Sequence, residues 1–281
     1  MILNYINWKA DPEIINVFGI SIRYYGLLFV SGLIICIYLL GWIFKRESIP
    51  AENLEKLSIY GMIGILAGAR LGHCLFYEPS YYFSHPLEMI LPITFPPDGG
   101  IKFTGYQGLA SHGGVLGLLI ALFIYSRKTK HPMIDTIDLI AVVSGLSFGF
   151  IRLGNFMNSE IIGNPTTLPW GVIFERVDNI PRHPAQLYEA ISYFIIFSIM
   201  MLLYKKKRAR LKNGILFGLA AVLFFTARLL IEFLKENQVG FEDKMTLNMG
   251  QLLSLPFIAV GFGFIIYGLI KTRKSINANI Q

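Results

Sequence analysis

The chain has 281 residues, 54% of them hydrophobic and 15% charged, and its mean hydropathy is +0.54. A soluble protein of this length carries far more charge, so the composition excludes an ordinary soluble domain and predicts an all-α polytopic membrane protein. The formal net charge of +7 could indicate nucleic-acid binding, but the positions of the basic residues argue against it. No cleavable signal peptide is expected, because Lys9, Asp11 and Glu13 interrupt the first 19 residues.

Apolar segments near the ~20 residues that cross a hydrocarbon core recur along the chain. Seven transmembrane helices are predicted, at residues 20–44, 54–77, 106–126, 134–155, 186–204, 213–235 and 249–270. Residues 1–281 are expected to form a single integral membrane domain. It includes an interfacial N-terminal arm at 1–19, a loop or arm at 78–105 and a small head at 156–185, where Trp170–Phe174 could form a short strand.

The basic residues predict how these helices are oriented. Most Lys and Arg residues follow the first, third, fifth and seventh spans, and they include the run "KKKRARLK" at residues 205–212. The positive-inside rule makes that side cytoplasmic, so the N-terminus is predicted to be periplasmic and the C-terminus cytoplasmic. The run is interpreted as an orientation device beside the anionic lipid bilayer, and no nucleic-acid partner is expected.

Five basic residues remain at membrane depth, and the direction of each span puts them in its outer half: Arg23, Arg70, Arg152, Arg228 and Lys235. An ionisable residue inside the membrane costs roughly 2.5–3.5 kcal/mol even on a lenient scale, so each is a functional candidate. The alternative is that each one snorkels to the interface or pairs structurally. That alternative is preferred for Arg23 and Lys235, and both interpretations stay open for Arg70.

Arg152 and Arg228 are favoured as functional because each has polar companions on its own helix face. Asn155 lies three residues after Arg152, and Glu232 lies four residues after Arg228, so an ion pair between the latter two is predicted. Glu160 follows where the fourth span ends in "RLGNFMNSE". It is expected to orient an arginine or to accept a hydrogen bond from a hydroxyl.

Three further motifs supply polar groups to the same outer layer. His112 opens "SHGGVLG", where the glycines let another chain segment approach; a structural role and a role in proton transfer both stay open. "RHPAQLYE" contributes His183 and Gln186, part of which could simply cap the following helix. Tyr25 in "IRYYG" is also what an ordinary interfacial aromatic belt would contain.

Glycines recur every four residues within several of the predicted spans. They are Gly64, Gly68 and Gly72, Gly113 and Gly117, and Gly145 and Gly149. This spacing places small residues on one helix face and predicts close helix packing.

Several arginines without a cage of carboxylates indicate a site for an anion, because guanidinium groups match phosphate oxygens in a bidentate way. The anion available in the outer leaflet is a phospholipid head group. No HExxH, paired Asp or Cys/His motif appears, so neither a metal nor another cofactor is expected. The chain could be an enzyme acting on an anionic phospholipid, or a transporter or lipid-binding protein with arginines along a solute path. Charges confined to the outer half favour the enzyme.

The motifs resemble those of the bacterial prolipoprotein diacylglyceryl transferases. "RLGNFMNSEIIG" is similar to the family's signature stretch, and six further motifs occur in the family's order: "RYYG", "GARLG", "HGG", "RHPAQLYE", "ARLLIEF" and "MGQLLSLP". The resemblance implies transfer of a diacylglyceryl group from phosphatidylglycerol to the lipobox cysteine of a prolipoprotein. A thioether forms and glycerol phosphate leaves, at the periplasmic leaflet of the bacterial cytoplasmic (inner) membrane.

The resemblance also implies roles for individual residues. His112 is proposed as the base, Arg152 and Arg228 as the phosphate-binding pair, and Asn155 and Tyr25 as orienting groups. The remaining residues expected to form the substrate-binding site are Arg70, Glu160, Gly163, His183, Gln186 and Glu232. One departure is that Phe224 stands where a tyrosine is expected in some members, so a hydroxyl cannot act there.

Overall fold

The computed structural model describes residues 5–17, 20–96, 99–103, 108–208, 210–237, 240, 242 and 245–278. Its helices are α1 (Tyr24–Arg46), α2 (Ala51–Phe76), α3 (Pro79–Ser84), α4 (Pro86–Ile90), α5 (Ser111–Thr129), α6 (Met133–Met157), α7 (Ala185–Lys207), α8 (Ile215–Glu232) and α9 (Met249–Ala278). Its strands are β1 (Ile6–Trp8), β2 (Glu13–Val17), β3 (Ile20–Arg23), β4 (Ile93–Thr94), β5 (Lys102–Phe103), β6 (Val172–Phe174) and β7 (Pro181–Arg182). Several parts of the predicted segments lie outside the described residues, namely 1–4 and 18–19 of the N-terminal arm, 97–98 and 104–105 of the loop, and 106–107 of the third span.

Six of these helices are long and apolar enough to cross a membrane, which confirms a mostly helical, multi-pass membrane protein. They are α1, α2, α6, α7, α8 and residues Met249–Lys274 of α9. The predicted third span corresponds to α5, which forms a helix of 19 residues but is not one of the six. Its apolar stretch is short because His112 lies in its first turn and Arg127 and Lys128 lie in its last turn.

The chain divides into two compact units. One consists of Met1–Ile43 and Ile137–Gln281, and the other of Phe44–Thr136. The polar residues at the end of α6 belong to the first unit, whereas Arg70 and His112 belong to the second.

In the second unit, α2 and α5 pack with their backbones in contact. A Cβ atom added at Gly68 would collide with the carbonyl oxygen of Gly113, and one added at Gly117 would collide with that of Gly64. The predicted close packing of these glycines is therefore confirmed. Gly113 of the "HGG" motif therefore allows the backbone of α2 to approach α5.

Arg70 holds the segment after α2 in place. Its guanidinium donates to the carbonyl oxygens of Glu88 (2.5 Å) and Met89 (3.2 Å) and lies 4.7 Å from the centre of the Tyr82 ring. The buried Glu88 carboxylate accepts hydrogen bonds from Phe95 N (2.8 Å) and from the Tyr81 hydroxyl (2.7 Å). The backbone N–H keeps the pKa of Glu88 below its usual range. These contacts favour the structural interpretation of Arg70.

In the first unit, α8 packs along both α7 and α9. Gly218 and Gly261 let the backbones of α8 and α9 approach, since a Cβ at either would meet the carbonyl oxygen of the other. Asp138 of α6 is fully buried, and its carboxylate accepts hydrogen bonds from Gly214 N (2.9 Å) and Phe217 N (2.8 Å) where α8 begins. A side chain from another helix thus satisfies backbone donors that α8 cannot satisfy itself.

A small sheet precedes α7 in the order β1-β6-β7, with β1 parallel and β7 antiparallel to β6. The strand predicted around Trp170–Phe174 is confirmed as β6. Phe156 at the end of α6 packs against Trp8 and Phe174, with ring centres 4.4 and 5.7 Å away. This packing fixes the point where α6 ends. Within the predicted N-terminal arm, β1 joins this sheet and β2 pairs with β3.

Candidate active site

The polar side chains at the end of α6 form a continuous hydrogen-bonded chain. Arg152 Nη1 donates to Asn155 Oδ1 (3.1 Å), and Asn155 Nδ2 donates to Glu160 Oε2 (3.2 Å). Asn158 Nδ2 donates to the other carboxylate oxygen of Glu160 (3.0 Å). Residues 159 and 161 adopt left-handed conformations with φ of 55° and 57°, which turn the chain back so that Glu160 faces α6.

A second group of charges approaches Arg152 from α7 and from the end of α8. Glu189 is fully buried, and its Oε2 lies 2.8 Å from Arg152 Nε. The N–H does not point straight at this oxygen, so the contact is an ion pair rather than a hydrogen bond. Lys235 Nζ donates to Glu189 Oε1 (2.9 Å) and to Glu232 Oε2 (3.0 Å). Glu189 belongs to the polar set of the motif "RHPAQLYE", but the sequence analysis gave it no role in the site.

The pairing of Glu232 differs from the prediction. Within the described residues no ion pair joins Glu232 to Arg228; the carboxylate binds Lys235, which lies just beyond the helix. Gly250 of α9 leaves room for this carboxylate, because a Cβ there would collide with it. The i,i+4 spacing made a pair with Arg228 possible. In the structure the ammonium group of Lys235, in the turn that follows α8, pairs with Glu232 instead.

Arg152 and Arg228, from α6 and α8, line one cavity of about 170 Å³. Its other lining residues are Ile161, Glu232, Lys235, Glu242, Met249, Gly250 and Leu253. Nε of Arg228 is buried and has no hydrogen-bond partner in the part of the chain that the structure describes. Glu242 Oε1 accepts a hydrogen bond from Met249 N (3.2 Å) at the start of α9. The cavity therefore presents two guanidinium groups to a shared space.

Several residues predicted for the site make structural contacts between the loop after α6 and the start of α7. Gly163 N donates to the His183 carbonyl (2.9 Å), and a Cβ at Gly163 would collide with His183 and Leu234. Gln186 is fully buried, and its Nε2 donates to the Glu160 carbonyl (2.6 Å). Burial lowers the pKa of His183, so the ring is neutral at pH 7. These contacts fix the loop after α6 against the start of α7.

Arg182, for which the sequence analysis predicted no role, connects three segments of the chain. Its guanidinium contacts Asp178 Oδ2 (2.6 Å) and Glu236 Oε1 (3.2 Å), and it donates to the Gly163 carbonyl (3.3 Å). It holds the pKa of Asp178 below its usual range. One buried arginine thereby joins the sheet, the loop after α6 and the segment after α8.

Tyr25 packs against α6 next to Asn155 because Gly154 has no side chain. A Cβ at Gly154 would lie 2.8 Å from the Tyr25 ring, so α1 can pack closely on α6 at this level. His112 and Arg70 lie in the second unit; the His112 side chain is exposed, and Arg70 has the contacts described above. Phe224 packs its ring against Phe148 and Tyr193, with centres 5.3 and 5.4 Å away.

Fold and site together define a multi-pass helical membrane protein with a cavity to which two arginines and a lysine contribute. The family model described as prolipoprotein diacylglyceryl transferase matches residues 12–267, and the chain belongs to this family. Curated relatives named phosphatidylglycerol–prolipoprotein diacylglyceryl transferase include those of Bacteroides fragilis and Tolumonas auensis. The first is 55% identical, covering 96% of this chain and 98% of the relative; the second is 44% identical, covering 90% and 94%. The Porphyromonas gingivalis relative is 41% identical, covering 93% and 94%.

Proposed function

We propose that this chain transfers the diacylglyceryl group of phosphatidylglycerol to the lipobox cysteine of prolipoproteins, the first step of bacterial lipoprotein maturation. The observation that carries the proposal is the cavity lined by Arg152 and Arg228. Two guanidinium groups from separate helices are the donors that a phosphate diester needs. The names of the relatives supply the lipid and protein substrates.

The reaction forms a bond between the cysteine sulfur and the terminal carbon of the diacylglyceryl group. The bond from that carbon to a phosphate oxygen breaks, and its electron pair leaves with glycerol phosphate. Arg152 and Arg228 hold the phosphate and stabilise the charge that grows on the leaving oxygen. Preorganised donors in a buried site are effective because they need no reorientation when the charge appears.

Asn155 and Glu160 keep the Arg152 guanidinium in a fixed pose, and Tyr25 beside them orients the head group or the lipobox backbone. Glu232 belongs to the site through its pair with Lys235. Gly163, His183 and Gln186 support the wall of the cavity, as their contacts indicate.

The substrate thiol must lose its proton, since the thiolate is the nucleophile and an ordinary cysteine has a pKa of about 8.5. His112 is proposed as the base on the strength of the family resemblance. Arg70, predicted for the substrate-binding site, is proposed to anchor the segment that contains Glu88 and Met89, as its hydrogen bonds to their carbonyl oxygens indicate.

The chain is proposed to lie in the bacterial cytoplasmic (inner) membrane with seven spans, α5 being the additional one. The distribution of basic residues supports a periplasmic N-terminus and a cytoplasmic C-terminus. In this orientation the cavity, the head at 156–185 and the arm at 78–105 are periplasmic, and residues 1–19 lie at the interface. The active site then faces the outer leaflet, where its lipid substrate is available.

Mass spectrometry gives a direct test. The purified protein is incubated with phosphatidylglycerol and a synthetic lipobox peptide, and the peptide is examined for a diacylglyceryl adduct. A peptide with serine in place of the lipobox cysteine is the control and should stay unmodified. Absence of the adduct from the cysteine peptide, with correctly folded protein, would refute the proposal.

A further inference from the structure

Lys235 occupies an unusual position between two carboxylates. It is only 5% exposed, and its ammonium group lies 2.9 Å from Glu189 and 3.0 Å from Glu232. Its backbone is also fixed, through a β-bridge to Gly163. The side chain is therefore held inside the protein, where it cannot simply extend to water.

Glu232 pairs with Lys235 rather than with Arg228. Glu232 lies one helical turn from Arg228, which is the spacing at which opposite charges on a helix normally pair. It binds Lys235 instead, and Arg228 Nε is left without a hydrogen-bond partner among the described residues. A buried N–H that lacks an acceptor is costly, so this side of the Arg228 guanidinium would attract a carboxylate within reach.

We infer that Lys235 is a positioning residue, which keeps Arg228 available to the substrate phosphate by engaging Glu232. This inference rests on the proposed function. Without the ammonium group, Glu232 turns to Arg228 and competes with the phosphate for the same donors. Glu189 cannot replace Lys235 as the partner of Glu232, because both side chains are carboxylates. Glu189 also already contacts Arg152.

Steady-state kinetics with phosphatidylglycerol as the varied substrate tests this. Lys235→Met should raise the KM for the lipid by about tenfold or more, since charge-assisted hydrogen bonds to phosphate become contested. The kcat should change less, because lipid that does bind has displaced Glu232. Lys235→Arg, which preserves the charge and the pairing, should stay within about threefold of the unmodified protein.

The decisive variant combines Lys235→Met with Glu232→Gln. Removing the competing carboxylate should return the KM to within about threefold of its original value, so the two changes are strongly non-additive. A lysine that only stabilises the fold predicts the opposite, namely a double variant at least as impaired as the single one. Thermal unfolding of each variant in detergent is measured in parallel. If Lys235→Met does not fold, Lys235→Gln, which removes the charge but keeps a polar side chain, must show the same rise and rescue.

The outcomes separate this inference from the proposed function. If the unmodified protein forms no adduct, the function is wrong. If it forms the adduct but Lys235→Met has an unchanged KM, the inference about Lys235 is wrong while the function stands. A raised KM that Glu232→Gln does not restore also overturns the inference.

Discussion

Replacing Arg152 with lysine tests whether the geometry of this guanidinium, beyond its charge, is needed for transfer. Two of its three nitrogens are already used within the protein, Nε by Glu189 (2.8 Å) and Nη1 by Asn155 (3.1 Å). Arg152 also lines the cavity, so its guanidinium has to serve these two partners and the ligand together. A lysine keeps the positive charge, but its N–H groups diverge from a single nitrogen and do not reproduce the planar arrangement of donors with which a guanidinium reaches separate partners.

The expected loss follows from these contacts. At least one charge-assisted hydrogen bond to the phosphate is lost in the transition state, worth about 1.5–3 kcal/mol. This corresponds to a decrease in kcat/KM of roughly 10- to 150-fold. The assay is the initial rate of adduct formation on the lipobox peptide, measured by mass spectrometry over a range of phosphatidylglycerol concentrations.

Arg176→Lys is the matched control, because Arg176 is exposed and is not one of the residues that line the cavity. It should retain the original rate. If Arg152→Lys also retained the original kcat/KM within about threefold, a point charge would suffice. The argument from guanidinium geometry would then be refuted.

Three further substitutions probe other parts of the molecule. Asp138→Ala removes an acceptor for backbone donors at the start of α8 and should lower stability by about 1–2 kcal/mol, seen as a lower melting temperature in detergent; an unchanged value would contradict this. Gly68→Leu should prevent α2 from packing on α5 and deplete the protein from the membrane fraction, whereas Gly263→Leu, which has open space around it, should accumulate normally. His112→Gln should slow transfer, with partial recovery at higher pH where more substrate thiol is ionised; an unchanged rate and pH profile would remove His112 as the base.

Patterns within short stretches of the sequence were sufficient to predict much of the fold. Apolar length predicted the helices, and four-residue glycine spacing predicted the α2–α5 contact that Gly68 and Gly113 make. The three-residue spacing of Arg152 and Asn155 predicted a shared face, and their hydrogen bond follows from it. These features depend on the period of a helix, which can be counted along a sequence.

Contacts between distant parts of the chain could not be obtained in this way. Lys235 and Glu189 are 46 residues apart, and only the packing of α7 against the end of α8 brings them together. The parallel pairing of Ile6 with Val172 depends on tertiary structure in the same way, because neither short strand specifies its partner. The spacing rule gave the wrong partner for Glu232 because it considers a single helix and ignores the competing lysine beyond the helix end.

The ion pairs around the cavity give its two arginines different surroundings. Arg152, Glu189, Lys235 and Glu232 alternate in charge along one connected chain of contacts, so each buried carboxylate of this chain has a cation beside it. Such a network offsets the cost of burying its charges and fixes the pose of Arg152 before any ligand arrives. Arg228 is not part of these contacts, and among the residues that the structure describes its buried Nε has no hydrogen-bond partner. A phosphate in the cavity would therefore meet one guanidinium that is already positioned and another whose hydrogen bonding the ligand completes.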